Sequence, residues 1–401
     1  MRLSTAGMHR HSIDAILDQQ FKLAKTQEQI STGRKFNTAS EDPIGATRAA
    51  AFDRTLADLT QFGRNSDIIE NRLNYEEQTL AELTLVLQRA RELGLQGANS
   101  TVGPDERRMI ANEIRQNLQA LLELANRDDG NGEFLFSGTS TATRPFAQGP
   151  AGVSYQGDDT VRQIRVSNTQ SLADGHSGVD VFMNIAERNG TFRTSIGAAN
   201  TGGGSVTVGS VTDLSAWVPG NYTLQFTTTT DWQVVDDATP TPNVVATGAG
   251  FTPGQTISFN GISFAVNGQP DANDTFDIQP AQRLDVFAMV EDLASALTLP
   301  TALPGDAAVS ANRIGAAIAN MDRALERTVS VRSEVGTRLN AVDQAKGLRE
   351  SEAIDLQSLL SDLRDTDYAQ AISQLNQQYA GLQAAQAAYT RVSQMSLFDF
   401  L

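Results

Sequence analysis

Cysteine is absent from the 401 residues. That excludes a disulfide scaffold, a thiolate nucleophile and every cysteine-held zinc or iron–sulfur site. Histidine is scarce, at His9, His11 and His176, so metal chemistry is poorly supplied. Lysine occurs only at Lys22, Lys25, Lys35 and Lys346, and 31 basic against 47 acidic residues give a formal charge of -16. A phosphate backbone is a poor partner for such a surface, and no nucleic-acid binding is expected. No run approaches the ~18–20 consecutive apolar residues of a membrane helix, so no membrane insertion is expected. The start, Met1 to His11, lacks the apolar core of a cleavable signal. A chain exported by a route that uses no cleaved signal reads the same way.

Proline is missing between Pro43 and Pro104 and again after Pro304, which leaves both flanks free to carry long unbroken helices. On the left flank Ile69, Leu73, Leu80, Leu83, Leu87 and Ala90 fall on one heptad seam, with Glu76 the one polar intruder. Asp42-Pro43 supplies an acidic N-cap and a proline at the first helical position. A helix from Pro43 to Gly97 spans on the order of 80 Å. Val102-Gly103-Pro104 breaks it, and Ile110, Ile114, Leu121 and Leu124 line a second helix that folds back. The right flank keeps the same 4,3 spacing in Ile314, Ile318, Met321, Leu325, Val335, Leu339 and Val342. Leu356, Leu360 and Leu363 continue it, with register slips near Lys346-Gly347 and Asp365. The two flanks are expected to pack on each other.

Between the flanks the chain reads as β. Glu133 to Gly138 is expected as a short strand, and Val153–Tyr155 with Val161–Val166 as a hairpin across Gly157-Asp158-Asp159. Tyr222–Phe226, Thr256–Phe259 and Ile262–Val266 alternate in the strand period, and Asn260-Gly261 joins the last two as a two-residue hairpin turn. The expected fold is therefore α+β and multidomain. It has a long antiparallel α-helical coiled-coil stem built from the N- and C-terminal segments, small β-hairpins and an inserted antiparallel β domain. Residues 1–40 with 365–401 form terminal helices, 41–174 with 283–364 the stem, and 175–282 the insert. The stem core is assigned to Ile69, Leu73, Leu80, Leu83, Leu87, Ile318, Met321, Leu325, Val335, Leu339 and Val342.

Chemistry finds little foothold. Asp128-Asp129-Gly130-Asn131-Gly132-Glu133 lacks the sixth-position glycine and twelfth-position glutamate of a calcium loop and reads as a turn. Gly202-Gly203-Gly204 has no following lysine and reads as a flexible entry rather than a phosphate cradle. His9 and His11 sit two apart, on different sides of a helix. Neither G-x-S-x-G nor Ser-x-x-Lys occurs. No catalytic residue, metal ligand or cofactor is expected, and the chain does not read as an enzyme.

The termini carry the informative pattern. Ile13, Ile16, Leu17, Leu23 and Ile30 make a stripe diluted by Gln20 and Gln27. Ile372, Leu375, Tyr379, Leu382 and Tyr389, preceded by Tyr368, sit among glutamines and alanines, and Leu397, Phe398 and Phe400 close the chain. Such helices bury little against the entropy of ordering them. Both ends are expected to be labile in a free monomer and to order against neighbouring subunits.

Gln29 to Ala46 (QISTGRKFNTASEDPIGA) resembles the N-terminal block of bacterial flagellins and their relatives. Ser333 to Asn340 (SEVGTRLN) resembles that family's C-terminal stem block. The end, Gln394 to Leu401 (QMSLFDFL), the Glu133–Thr139 block and Tyr155-Gln156-Gly157-Asp158 are similar to its hook-associated junction members. Residues 175–282 carry no motif with a named counterpart. The resemblance implies a secreted structural protein of the bacterial flagellum at the hook–filament junction, exported through the type III apparatus and assembled by its terminal helices into a layer of its own copies. Hook-associated protein 1, flagellin and an export chaperone on the C-terminal region are the implied partners. Two alternatives stand beside it. One is a flagellin filament subunit. The other is a flagellar surface adhesin that binds through Trp217, Trp232, Tyr222 and Phe226, residues that also suit the core of a small sandwich.

Overall fold

The computed structural model describes residues 5–150, 152–237 and 243–394. Seven helices are present among them: α1 (Thr5–Thr32), α2 (Pro43–Gly97), α3 (Pro104–Ala125), α4 (Gly178–Phe182), α5 (Val286–Leu297), α6 (Pro304–Arg364) and α7 (Tyr368–Gln394). The chain divides into two compact units, Met1–Arg64 with Ala345–Leu401 and Asn65–Gln344, the boundary falling within α2 and α6.

In the central unit α2 and α6 run antiparallel, joined by Arg332 to Glu77 and by Arg91 to Asp322. Ile69, Leu73, Leu80, Leu83 and Leu87 of α2 are fully buried, because the heptad spacing holds them on one side of an uninterrupted helix. Met321, Val335 and Val342 answer them on α6. Ile318, Leu325 and Leu339 are only half-buried. The α6 seam runs through Ile314, Ala317, Met321, Ala324, Thr328, Val331, Val335 and Val342, with Ala317 and Ala324 one position before Ile318 and Leu325. Alanine in a seam allows close helix approach, and Ile318 and Leu325 beside it are left half-buried. The register slip near Lys346 is a change of phase, since α6 continues through it to Arg364. Helix α3 turns back along α2, tied by Arg89 to Glu113 and by Arg127 to Glu82.

Two local expectations are corrected. Glu133–Gly138 is not a strand but a turn with one isolated bridge, Asp128 to Phe134, since the carbonyls of Phe134 and Leu135 accept from Arg72. Val153–Tyr155 does not pair with Val161–Val166. Gly152–Tyr155 pairs with Phe146–Gly149, and Gln163–Arg165 with Ser171–Ala173. The intervening Asp158 is engaged elsewhere. Its carboxylate accepts from Thr139 N–H and hydroxyl, Ser140 hydroxyl and Thr160 N–H, which closes a clasp and leaves no free edge for that hairpin. Beneath these loops Phe136, Phe146, Phe182 and Phe287 pack in edge, tilted and stacked contacts 5.0–5.9 Å apart.

The insert is a two-sheet sandwich. One sheet has five antiparallel strands in the order 243–248, 232–236, 222–226, 275–280 and 192–196. The other pairs Thr256–Phe259 with Ile262–Asn267, which also meets Ser205–Val206 and Ser210–Val211. Asn260 and Gly261 both take positive φ, 43° and 74°, the left-handed pair that such a hairpin turn requires. Tyr222 and Phe226 are buried in the shared core, with Trp217 and Trp232 packed against it, so these aromatics hold the sandwich together. The chain enters and leaves through paired strands, Ile185–Ala186 against Arg283–Leu284. Arg323 of α6 fixes that neck by donating to the carbonyls of Arg188 and Asn189.

Candidate assembly interface

In the terminal unit α1 and α7 pair antiparallel. His9 meets Tyr389 edge-on at 5.9 Å, and Gln19 donates to the Gln378 carbonyl at 3.1 Å. The linkers beyond them are zipped: Lys35 N–H donates to Arg364 O at 2.7 Å and Thr366 N–H to Gly33 O at 2.8 Å. Gly33, at φ 70°, reverses the chain at the end of α1, a conformation that a side chain would strain. Glu41 then accepts from the N–H groups of Asn37 and Thr38 and from the Thr38 hydroxyl. The Thr38 hydroxyl foremost holds this carboxyl below its usual range. Asp42 caps α2 through Gly45 N–H at 2.8 Å, as the Asp-Pro pair predicts.

The seam between α1 and α7 is thin. On α1 it runs through Ser12, Ile16, Gln19, Leu23, Thr26 and Ile30, of which only Thr26 is buried. On α7 it runs through Ala371, Leu375, Gln378, Leu382, Ala385 and Tyr389, of which Ala371 and Leu382 are buried. Polar and small residues occupy places that leucine holds in the central unit. The apolar residues expected to mediate assembly separate into two groups. Leu23, Ile30, Leu375, Leu382 and Tyr389 face the helix partner. Ile13, Leu17, Ile372 and Tyr379 are exposed, Leu17 by 56%. Leu397, Phe398 and Phe400 lie outside the described residues. Phe21, 70% exposed, belongs with the exposed group although the sequence reading passed over it. Its signal was the i, i+4, i+8 spacing of Ile13, Leu17 and Phe21, a second stripe beside the seam. On α7, Tyr368, Ile372 and Tyr379 share one face at i, i+4 and i+11 and are all exposed.

The intruding Glu76 of the central unit has a partner. His176 Nδ1 lies 2.6 Å from its Oε1, and His176 Nε2 lies 3.2 Å from Glu334. Arg72, one turn earlier, is buried with Asp174, which Arg162 pairs at 2.7 Å. Arg338 donates to the Gly175 carbonyl at 2.7 Å. These contacts fasten the loop at 174–176 to both long helices and give the buried charges the partners they need. Among the described residues no group of three or more His, Asp or Glu is arranged to hold a metal ion, and no helix is long and apolar enough to cross a membrane.

Comparison with known proteins supplies context for this arrangement. Residues 4–141 match the bacterial flagellin N-terminal helical region, and residues 196–280 match the D2-like domain of flagellar hook-associated protein 1. Flagellar hook-associated protein 3 of Escherichia coli K12 is 26% identical over 403 residues, covering 100% of this chain and 99% of that one. The crystal structure of Xanthomonas campestris FlgL is 32% identical with a TM-score of 0.72, covering 77% of this chain and 99% of the other. Flagellar hook-associated protein-3 of Legionella pneumophila is 30% identical with a TM-score of 0.75, covering 78% and 98%.

Proposed function

Since the chain belongs to the FlgL family, the flagellar hook-associated protein 3 group of flagellin-like structural proteins, we propose that it forms the layer that joins the flagellar hook to the flagellin filament. The observation that carries this reading is the divided apolar surface of α1 and α7. One stripe is spent on their mutual seam, while Ile13, Leu17 and Phe21, with Tyr368, Ile372 and Tyr379, stay exposed. Exposed apolar stripes on paired helices fit helix-on-helix association with further copies. Residues 1–40 with 365–401 supply the assembling helices, 41–174 with 283–364 the stem, and 175–282 the inserted β domain. Hook-associated protein 1 on one side and flagellin on the other are the neighbours of such a layer. An export chaperone covers the C-terminal region before passage through the type III apparatus. The flagellin of Salmonella naestved aligns over only 118 residues, 29% of this chain, whereas the hook-associated relatives run the full length, which favours a junction subunit over a filament subunit. Deleting the gene tests this reading. A junction protein's loss leaves hooks intact while flagellin escapes into the medium; filaments found to consist mainly of this chain would make it the filament subunit instead.

A further inference from the structure

A cleft of about 660 Å³ opens where the turn after α2 meets the start of α6, lined in part by Val102, Pro104, Arg107, Ser310, Ile314 and Ile318. Its walls are mostly apolar, with two polar groups left over. Ser310 is 1% exposed and its hydroxyl has no hydrogen-bond partner. Arg107 makes no ion pair among the described residues. Its Nε is buried without a partner, and one Nη reaches only the Asn99 carbonyl at 3.4 Å. The adjacent acids do not neutralise it, because Asp105 pairs with Arg108 and Glu106 accepts from Gly103 N–H. The first turns of α3 and α6 both border the cleft, and helix N-termini add partial positive charge there.

A buried hydroxyl without a partner and an unneutralised guanidinium in an apolar cleft call for an acceptor that is anionic and carried on a hydrocarbon stem. We propose that this cleft receives a carboxylate on an aliphatic chain, the end of a glutamate side chain on a second copy of this protein. Charge complementarity points to a second copy: residues 65–344 hold thirty-three acidic against eighteen basic residues, so each copy is rich in carboxylates, and Arg107 has no ion pair of its own among the described residues to compete with one. The step rests on the self-assembly proposed above, but neither arm of its test depends on where in the flagellum the layer lies.

Butyrate is the probe for the site. In the purified full-length chain, sodium butyrate should shift the amide signals of Gly103 and Ser310 saturably, and butylamine should not. Arg107→Gln should weaken binding about tenfold, and Arg107→Lys should recover part of it with unchanged helical content. No shift with 100 mM butyrate (a ceiling on the order of a weak single-ion contact), or equal shifts with butylamine, overturns the site. A photoreactive phenylalanine at Val102 in flagellated cells tests the occupant. An adduct of this chain with itself, reduced about tenfold by Arg107→Gln, supports a second copy. An adduct with another protein, or none, overturns that assignment.

Discussion

Two helix pairs in this molecule follow the same heptad rule with different residues. In the central unit the α2 seam places Leu73, Leu80, Leu83 and Leu87 in full burial, each contributing roughly 1.5–3 kcal/mol. In the terminal unit the corresponding places of α1 and α7 hold Ser12, Gln19, Thr26, Gln378 and Ala385, and the larger residues Leu17 and Phe21 face outward. Charge separates the regions as well. The terminal unit has thirteen basic against fourteen acidic residues, the central one eighteen against thirty-three. The stem and insert carry nearly all of the negative excess, so a second copy can approach them only where a local cation such as Arg107 meets its carboxylates. The terminal pair is nearly neutral and under-packed, so close approach of further copies costs little electrostatically and has apolar surface left to cover.

The sharpest way to break this comparison is to remove a central contact with no outside substitute. Glu76→Ala leaves the buried His176 without the carboxylate at its Nδ1, with only Glu334 on its other ring nitrogen. It is expected to cost about 3–5 kcal/mol in denaturant unfolding of the full chain. Glu76→Leu, which fills the seam, should cost less. A Glu76→Leu variant as stable as wild type would mean that the carboxylate matters only as volume.

Next in size is a pair of truncations on α6. Met321 is fully buried and Leu325 half-buried. Met321→Ala should lose about 2–5 kcal/mol and Leu325→Ala markedly less, although the two lie one turn apart and look alike in a hydrophobicity pattern. Equal melting temperatures for the two variants would place Leu325, not Ala324, in the seam.

That pair also shows what was legible. The long helices could be read because Asp42-Pro43 and Gly103-Pro104 mark their starts and large aliphatics repeat between them. Ala317 and Ala324 could not be read as seam, because alanine gives no hydrophobic signal beside Ile318 and Leu325. The 133–166 loops were misassigned for another reason. Their strand-like composition is overridden by Arg72 and Asp158, whose partners lie about sixty and twenty residues away in sequence. Glu76 stood out as an anomaly, but nothing local named His176, a hundred residues on. At the termini the stripe was visible. Its division into an inward seam and an outward face needed the geometry of the pair, and Phe21 was missed with it.

A smaller effect comes with acid. Asp158 is held down to about 2, first by the Thr139 hydroxyl and then by the Thr139 N–H. A carboxylate whose pKa is lower in the folded chain than in the unfolded one, where it is about 3.9, adds stability above that value and loses it as pH falls toward 2. Between about pH 4 and pH 2, wild type should therefore lose protection of the 137–160 amides, measured by hydrogen exchange. Asp158→Asn should show weaker protection at neutral pH and a flatter acid profile. The terminal helices contain no part of this clasp, and their exchange should be the same in both proteins.

The smallest effect on the isolated chain belongs to the terminal face, and it separates the two regions most cleanly. Leu17 is more than half exposed on α1, so Leu17→Ala removes little burial and should change monomer stability by no more than about 0.5 kcal/mol. The same truncation at Leu80, in full burial, should cost about 2–5 kcal/mol. In flagellated cells the order should reverse for incorporation. A stem weakened at Leu80 but still folded should enter the proposed layer, whereas a chain altered at Leu17, and more so at Leu17 and Phe21 together, should be incorporated poorly. Incorporation is measured by the amount of the chain recovered in sheared flagella against the amount exported. If the Leu17 variant is exported and retained like wild type, the outward stripe is not a subunit contact, and the thin seam of α1 and α7 would have to be explained by the needs of unfolding for export instead.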